Sequence, residues 1–166
     1  MRRVFDASIL WGISIMADVV PFPVDLGDQH VVLIVDDELV ILSFLSEHLR
    51  DCGFTPLTAS SADEAIRLIR LGGTIDLVFS DVRMPGELDG YGLARWMSEN
   101  CPNIPVILVS GDLGKVNAAA QLRDIETMAK PYDFNAIVKK FRATIAHHKQ
   151  RHAGLGTRSG RGSPPA

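Results

Sequence analysis

Three short stretches of this chain are apolar without a break, and each runs straight into polar residues. Residues 31–35 (VVLIV) lead into Asp36-Asp37, the run over residues 76–80 (DLVFS), with LVF at its centre, leads into Asp81, and residues 106–109 (VILV) lead into Ser110-Gly111. A strand that is apolar on both of its faces needs cover on both. Helices packed on the two sides of a parallel sheet supply that cover. Thr55-Pro56-Leu57-Thr58-Ala59 alternates instead and belongs nearer an edge, and Glu126-Thr127-Met128-Ala129 is a short fifth run that ends at Lys130-Pro131.

The segments between these runs have helical spacing. Residues 38–51 place Leu42, Leu45 and Leu49 on one face and stop at Gly53. Ser61-Ala62-Asp63-Glu64 opens a second segment, with Ala65, Ile66 and Ile69 on its inner face and Gly72-Gly73 at its end. Residues 90–99 and 133–147 read similarly, the latter with Phe134, Ile137, Val138, Phe141 and Ile145 as its stripe, and residues 113–123 form a less clear fifth helix around Ala118, Ala119 and Ala120. Five strands alternating with five helices predict a doubly wound α/β fold with right-handed crossovers.

At 166 residues the chain accommodates one domain plus extensions. The expected boundaries are an N-terminal extension over 1–29, poorly ordered, a folded domain over 30–148, and a disordered basic tail over 149–166, rich in Gly, Ser, Arg and Pro. The tail holds Lys149, Arg151, Arg158 and Arg161 and no acid, so within a net charge of −3 residues 1–148 carry −7. An acidic body lacks the basic face of a nucleic-acid binder. Cys52 and Cys101 have no metal-ligand spacing and read as buried, reduced packing residues in a cytosolic setting. The histidines (His30, His48, His147, His148 and His152) carry no metal signature and read as surface residues. Residues 9–16 (ILWGISIM) follow Arg2-Arg3 like a signal peptide, but Asp6 and Asp18 flank them, Ile15 occupies the position that needs a small residue, and the run is too short to span a bilayer. Translation starting at Met16 is an alternative account of these first residues.

In an open α/β sheet the functional crevice lies outside the carboxyl ends of the strands. The residues that follow the runs are Asp36, Asp37, Asp81, Ser110 and Lys130. Singly each is ordinary: Asp37 could cap the helix that starts near Glu38, Ser110-Gly111-Asp112 is a turn, and Lys130 is a solvated charge. Together they gather three carboxylates, a hydroxyl and an ammonium at one sheet edge, and clustered acids call for a compensating cation. An all-oxygen donor set without Cys or His selects a hard ion such as Mg²⁺, which shares its remaining positions with water and phosphate. Lys130 and Ser110 would then contact phosphoryl oxygens, and Gly111 leaves room for the group, an arrangement suited to in-line phosphoryl transfer.

Residues 31–37 (VVLIVDD), 76–90 (DLVFSDVRMPGELDG), 106–111 (VILVSG) and Lys130-Pro131-Tyr132 together resemble the receiver domain of two-component response regulators, here of a stand-alone, single-domain type, over about residues 30–148. The resemblance implies a flavodoxin-like, five-stranded parallel sheet in the order 2-1-3-4-5 with helices on both faces. It implies that Asp81 accepts a phosphoryl group from a phosphohistidine on a sensor histidine kinase or histidine phosphotransfer protein. Asp36, Asp37, Asp81 and the backbone carbonyl of Arg83 would hold Mg²⁺, while Ser110 and Lys130 contact the phosphoryl group. Such a domain is a switch that catalyses its own phosphorylation and dephosphorylation, not an enzyme acting on other substrates. The family's Lys-Pro bond is typically cis, which would aim Lys130 at the site. Thr127 departs from the pattern: it stands where most receivers carry an aromatic residue that couples to the hydroxyl, which puts that readout in question, and Tyr132 is not a positional substitute. Arg83 and Asp112 occupy positions that modulate dephosphorylation in the family.

Two other readings compete. A haloacid-dehalogenase-type phosphatase also uses Asp, Mg²⁺, Ser/Thr and Lys, but wants a D-x-D pair after the first strand where this chain has Asp36-Asp37-Glu38. A receiver fold that has lost signalling and only docks a partner is the second, kept open by Thr127. Residues 111–116 (GDLGKV) faintly resemble a P-loop but lack its spacer and its final Ser/Thr. Nothing after residue 148 reads as a helix-turn-helix or a catalytic module, so the expected output is protein–protein contact or phosphate shuttling, with no direct DNA binding and no membrane contact.

Overall fold

The apolar runs lie side by side in a computed structural model that describes residues 29–111 and 125–153. Strands β1 (His30–Val35), β2 (Phe54–Ala59), β3 (Leu77–Asp81), β4 (Val106–Ser110) and β5 (Ile125–Ala129) form one sheet in the order β2-β1-β3-β4-β5, and all four pairings are parallel. This is the flavodoxin-like order, with the alternating run at the β2 edge. Helices α1 (Leu39–Asp51), α2 (Ala62–Arg70), α3 (Gly90–Asn100) and α4 (Phe134–Ala153) connect and cover the strands. The helix expected over 113–123 lies outside the described residues, as do residues 1–28 of the N-terminal extension and residues 154–166 of the tail.

The period-two geometry of a strand sends alternate residues to opposite faces, and two cores result. Val31, Leu33 and Val35 of β1, with Val78, Val106, Leu108 and Ile125, pack under α2 (Ala62, Ala65, Ile66) and α3 (Leu93, Ala94, Met97). Val32 and Ile34, with Leu77, Phe79, Ile107 and Val109, pack under α1 (Leu42, Leu45, Leu49) and α4 (Ile137, Val138, Phe141, Ile145). Each unbroken apolar run thus feeds both cores.

Helix boundaries follow local chemistry. In α2, Ser61 Oγ accepts the Glu64 N–H at 3.2 Å, and Glu64 Oε2 accepts both the backbone N–H and the hydroxyl of Ser60 at 2.7 Å. Asp89 caps α3 by accepting the Gly92 N–H at 2.8 Å, and Asp133 Oδ1 accepts the Asn135 and Ala136 N–H groups at the start of α4. After α1 the chain turns at Gly53, whose φ of 84° lies in the left-handed region that favours glycine.

Three expectations are corrected. Helix α4 runs through Ala153, past the boundary expected at 148, so residues 149–153 are helical. His148, expected at the surface, is buried, because it falls one helical step beyond Phe141, Thr144 and Ile145 on the inner stripe of α4. Cys52 and Cys101, expected to be buried, are only half-buried.

Candidate functional site

Register brings the strand ends level. Val35 pairs with Ala59 and Ser80, Asp81 with Val109, and Ser110 with Ala129. Backbone bonds carry the ladder one step further, from Asp36 N–H to Ala59 O, Val82 N–H to Val109 O and Lys130 N–H to Ser110 O. The first residues beyond the apolar runs are therefore held at one edge of the sheet by hydrogen bonds as regular as those within it.

All five predicted side chains come from this edge. Asp36, Asp81 and Ser110 are buried, Asp37 is exposed and Lys130 is partly buried. Carboxylate oxygens of Asp36, Asp37 and Asp81 lie within 4.8 Å of one another. Lys130 Nζ donates to Asp81 Oδ2 at 2.7 Å and stands 3.7 Å from Asp36 Oδ2. The Lys130–Pro131 peptide is cis, as the resemblance implied.

Asp37 does not cap α1. The cap position is Glu38, without a side-chain cap bond, and the Glu38 N–H goes instead to Asp36 Oδ1 at 2.9 Å. Asp36 thereby has one oxygen tied to the backbone and the other turned towards Lys130, and the Asp37 carboxylate is left within reach of the other two acids.

Electrostatics match this arrangement. Burial pushes the Asp36 carboxyl above the usual carboxylate range; the Glu38 N–H and the Lys130 charge only partly offset this, and the Asp81 charge adds to it. For Lys130, burial works against the ammonium, but the hydrogen bond and charge of Asp81 and the charge of Asp36 outweigh it and hold its pKa above the ordinary value. One ammonium against three carboxylates leaves a local excess of negative charge. The donor set is oxygen throughout, so the residues present fit a hard divalent cation.

Arg83 follows Asp81 by two residues, and its N–H donates to Asp81 Oδ1 at 3.3 Å. Its guanidinium lies along Gly111: Nη2 is 3.7 Å from where a Cβ on that glycine would stand. Ser110 ends β4 beside Asp81 and beside the strand that delivers Lys130.

Thr127 pairs with Leu108 and shares the sheet face of Leu108 and Ile125. Tyr132 packs on the other face, with its ring edge-on to Phe79 at 5.9 Å, and lines a groove of about 420 Å³ with Ile41, Lys130, Pro131 and Phe134. The sheet itself separates the tyrosine from the position that Thr127 occupies, which is the physical reason it is no substitute there.

Sequence reading missed two contacts behind the site. The Ser80 hydroxyl donates to the Asp81 carbonyl at 2.9 Å, and Gly90, the first residue of α3, is pressed against that same carbonyl. The available signals were a serine at the fully buried end of an apolar strand and the glycine of Asp89-Gly90 opening a helix.

Comparison with known proteins agrees with this geometry. The family model described as the response regulator receiver domain matches residues 32–142. The chain is 29% identical over 125 residues to the DNA-binding transcriptional regulator NtrC of Salmonella typhimurium, covering 74% of this chain and 26% of that protein. It is 40% identical over 88 residues to the sensor kinase CckA of Brucella abortus, covering 52% of this chain and 9% of that protein. A response regulator receiver domain protein from Clostridium thermocellum superposes with a TM-score of 0.68 at 29% identity, over 73% of this chain and 98% of that one. The chain spans about a quarter of the NtrC relative it matches. Among the described residues no helix is long and apolar enough to cross a membrane. With the family match, the sheet order and the acidic edge in agreement, the chain belongs to the response regulator receiver domain family.

Proposed function

We propose that this protein is a phosphorylation-dependent signalling switch in which Asp81 accepts a phosphoryl group from a phosphohistidine on a sensor histidine kinase or histidine phosphotransfer protein. The observation that carries this reading is the pairing of Lys130 Nζ with Asp81 Oδ2 at 2.7 Å beside two further carboxylates. A carboxylate held by an ammonium at the mouth of a sheet is poised as a nucleophile, and a charge is already placed to receive the oxygens of the incoming group.

In the transfer, an Asp81 carboxylate oxygen attacks phosphorus and forms an acyl phosphate. The phosphorus–nitrogen bond of the donor breaks, and its electron pair returns to the imidazole. Lys130 exchanges part of its contact with Asp81 for a phosphoryl oxygen, and Ser110 donates a hydrogen bond to another. Asp36, Asp37, Asp81 and the Arg83 carbonyl would hold Mg²⁺, which would supply neutralisation of charge on the transferring group. The clustered carboxylate oxygens support a cation there. Output is proposed to run through protein–protein contact or onward phosphoryl transfer in the cytoplasm.

The test is incubation of the full chain with acetyl phosphate and Mg²⁺, read by intact mass and by phosphate-affinity gel, alongside Asp81→Asn. The expected result is a single Mg²⁺-dependent phosphoryl adduct on the wild type and none on the variant. An equal adduct on both proteins, or none on the wild type, overturns the reading.

A further inference from the structure

We infer that Gly90 and Ser80 are positioning residues, which clamp the Asp81–Val82 peptide and so set the aim of the Asp81 carboxylate. The inference rests on the reading of Asp81 as phosphoryl acceptor and extends it to the far side of that residue, away from the charged groups.

The peptide is held at every polar position. The Val82 N–H donates to Val109 O at 2.9 Å on the neighbouring strand, and the Asp81 carbonyl accepts the Ser80 hydroxyl at 2.9 Å. The next carbonyl, of Val82, accepts the Gly90 N–H at 3.0 Å. The first turn of α3 is thereby fastened to the loop that leaves β3, and Gly90 closes onto the peptide itself. A Cβ built on Gly90 would overlap the Asp81 carbonyl oxygen and stand 2.8 Å from Val82 Cα and 2.9 Å from the Asp81 carbonyl carbon. These are backbone atoms, so no side-chain rotation relieves the overlap.

Gly92, two residues on, shows that the constraint is local. A Cβ there meets chiefly the Leu88 side chain, a flexible end that can move. Gly90 therefore has a demand for absent volume that is directed at the residue carrying the chemistry. Ser80 is fully buried, and its hydroxyl holds the same carbonyl from within the strand. A strand end that simply frayed into its loop would leave the carboxylate free to wander from Lys130. Misplacement of a reacting group by about 1 Å costs on the order of a hundredfold in rate.

The experiment measures the rate of acyl-phosphate formation from acetyl phosphate at saturating Mg²⁺, together with the Mg²⁺ concentration giving half that rate. It compares the wild type, Gly90→Ala, Ser80→Ala and Leu93→Ala, at a temperature where circular dichroism shows each to be folded. Leu93→Ala is the structural control: it removes a fully buried side chain of α3 that packs in the core behind the sheet. Gly90→Ala is expected to lose about a hundredfold in the saturated rate. Ser80→Ala, which adds no atom and deletes one hydrogen bond, is expected to lose roughly fivefold to tenfold. Leu93→Ala is expected to stay within about twofold of wild type despite its lower stability. If Gly90→Ala does not fold, Ser80→Ala against Leu93→Ala decides the matter. Saturated rates for the positioning variants within about twofold of wild type, or an equal loss in Leu93→Ala, overturn the inference while leaving Asp81 as acceptor. A wild-type chain that takes up no phosphoryl group overturns the parent reading and this one with it.

Discussion

Lys130 reaches Asp81 across an intervening strand: Asp81 ends β3, Lys130 follows β5, and β4 lies between them, yet Nζ and Oδ2 are 2.7 Å apart. The span is bridged by the length of the lysine stem and by level strand ends, since Ser110 on β4 receives the Lys130 N–H. The ammonium is thereby tied at its root to the strand that carries the hydroxyl and at its tip to the acid.

Removing that ammonium separates two effects. Lys130→Ala is expected to slow phosphorylation by acetyl phosphate by about 10²–10³-fold, the range seen when a preorganised charge-stabilising donor is lost. It should at the same time lower the Mg²⁺ concentration needed for half-maximal binding, because Asp36 and Asp81 lose their competing cation. Rate and metal titration on the same protein check both. A rate unchanged alongside tighter Mg²⁺ binding would remove Lys130 from the transfer step.

Metal addition should stabilise the fold through the three carboxylates. At a Mg²⁺ concentration about a hundredfold above its Kd, the expected gain is about 2.7 kcal/mol. Asp36→Asn should lose most of that gain while being no less stable than wild type in chelator, since burial already disfavours its charge. Urea denaturation with and without Mg²⁺ measures both quantities; an equal Mg²⁺ gain in wild type and variant would place the ion elsewhere.

Glu64 links α2 to pH. Hydrogen bonds from the Ser60 backbone N–H and hydroxyl, ahead of a smaller opposing effect of burial, hold its carboxyl below the ordinary glutamate range. A depressed folded-state pKa contributes stability that is fully present above the unfolded value, about 4.3, and is lost as pH falls through the folded value. Because the group is largely solvent-screened, that contribution should stay under about 1 kcal/mol. The stability gap between wild type and Glu64→Gln should be constant above about pH 5.5 and shrink as pH falls below about 4. A gap that widens in acid would contradict the assignment.

Phe141 anchors the core on the α1 and α4 side, fully buried, with Phe79 at 5.1 Å and Phe54 at 6.1 Å in edge-on contact. Phe141→Ala is expected to cost about 3–5 kcal/mol, measured by denaturant unfolding. Because Phe79 lies only two residues before Asp81 in the same strand, the loss should also loosen the strand that presents Asp81.

Much of the fold was legible because its signal is local. Apolar runs that serve two faces can only be central parallel strands, and the polar residues that end them mark the sheet edge where Asp36, Asp81, Ser110 and Lys130 meet. Helix caps at Ser61 and Asp89 are likewise short-range chemistry. The burial of His148 was not legible, because an imidazole carries no periodic signal of its own and its fate depends on how far α4 continues.

The sequence by itself determined the strands, their order of appearance, and the set of groups at their ends, because hydrophobic periodicity and residue chemistry act over a few positions. Only the tertiary structure decided which atoms meet. The 2.7 Å pairing of Lys130 with Asp81 and the placing of Tyr132 on the opposite face from Thr127 depend on register between distant segments. The closing of Gly90 onto the Asp81 carbonyl does too, since nine residues of chain must return to the strand end before that contact exists. Such contacts are set by packing and by hydrogen bonds summed over the whole sheet, and no window of sequence contains them.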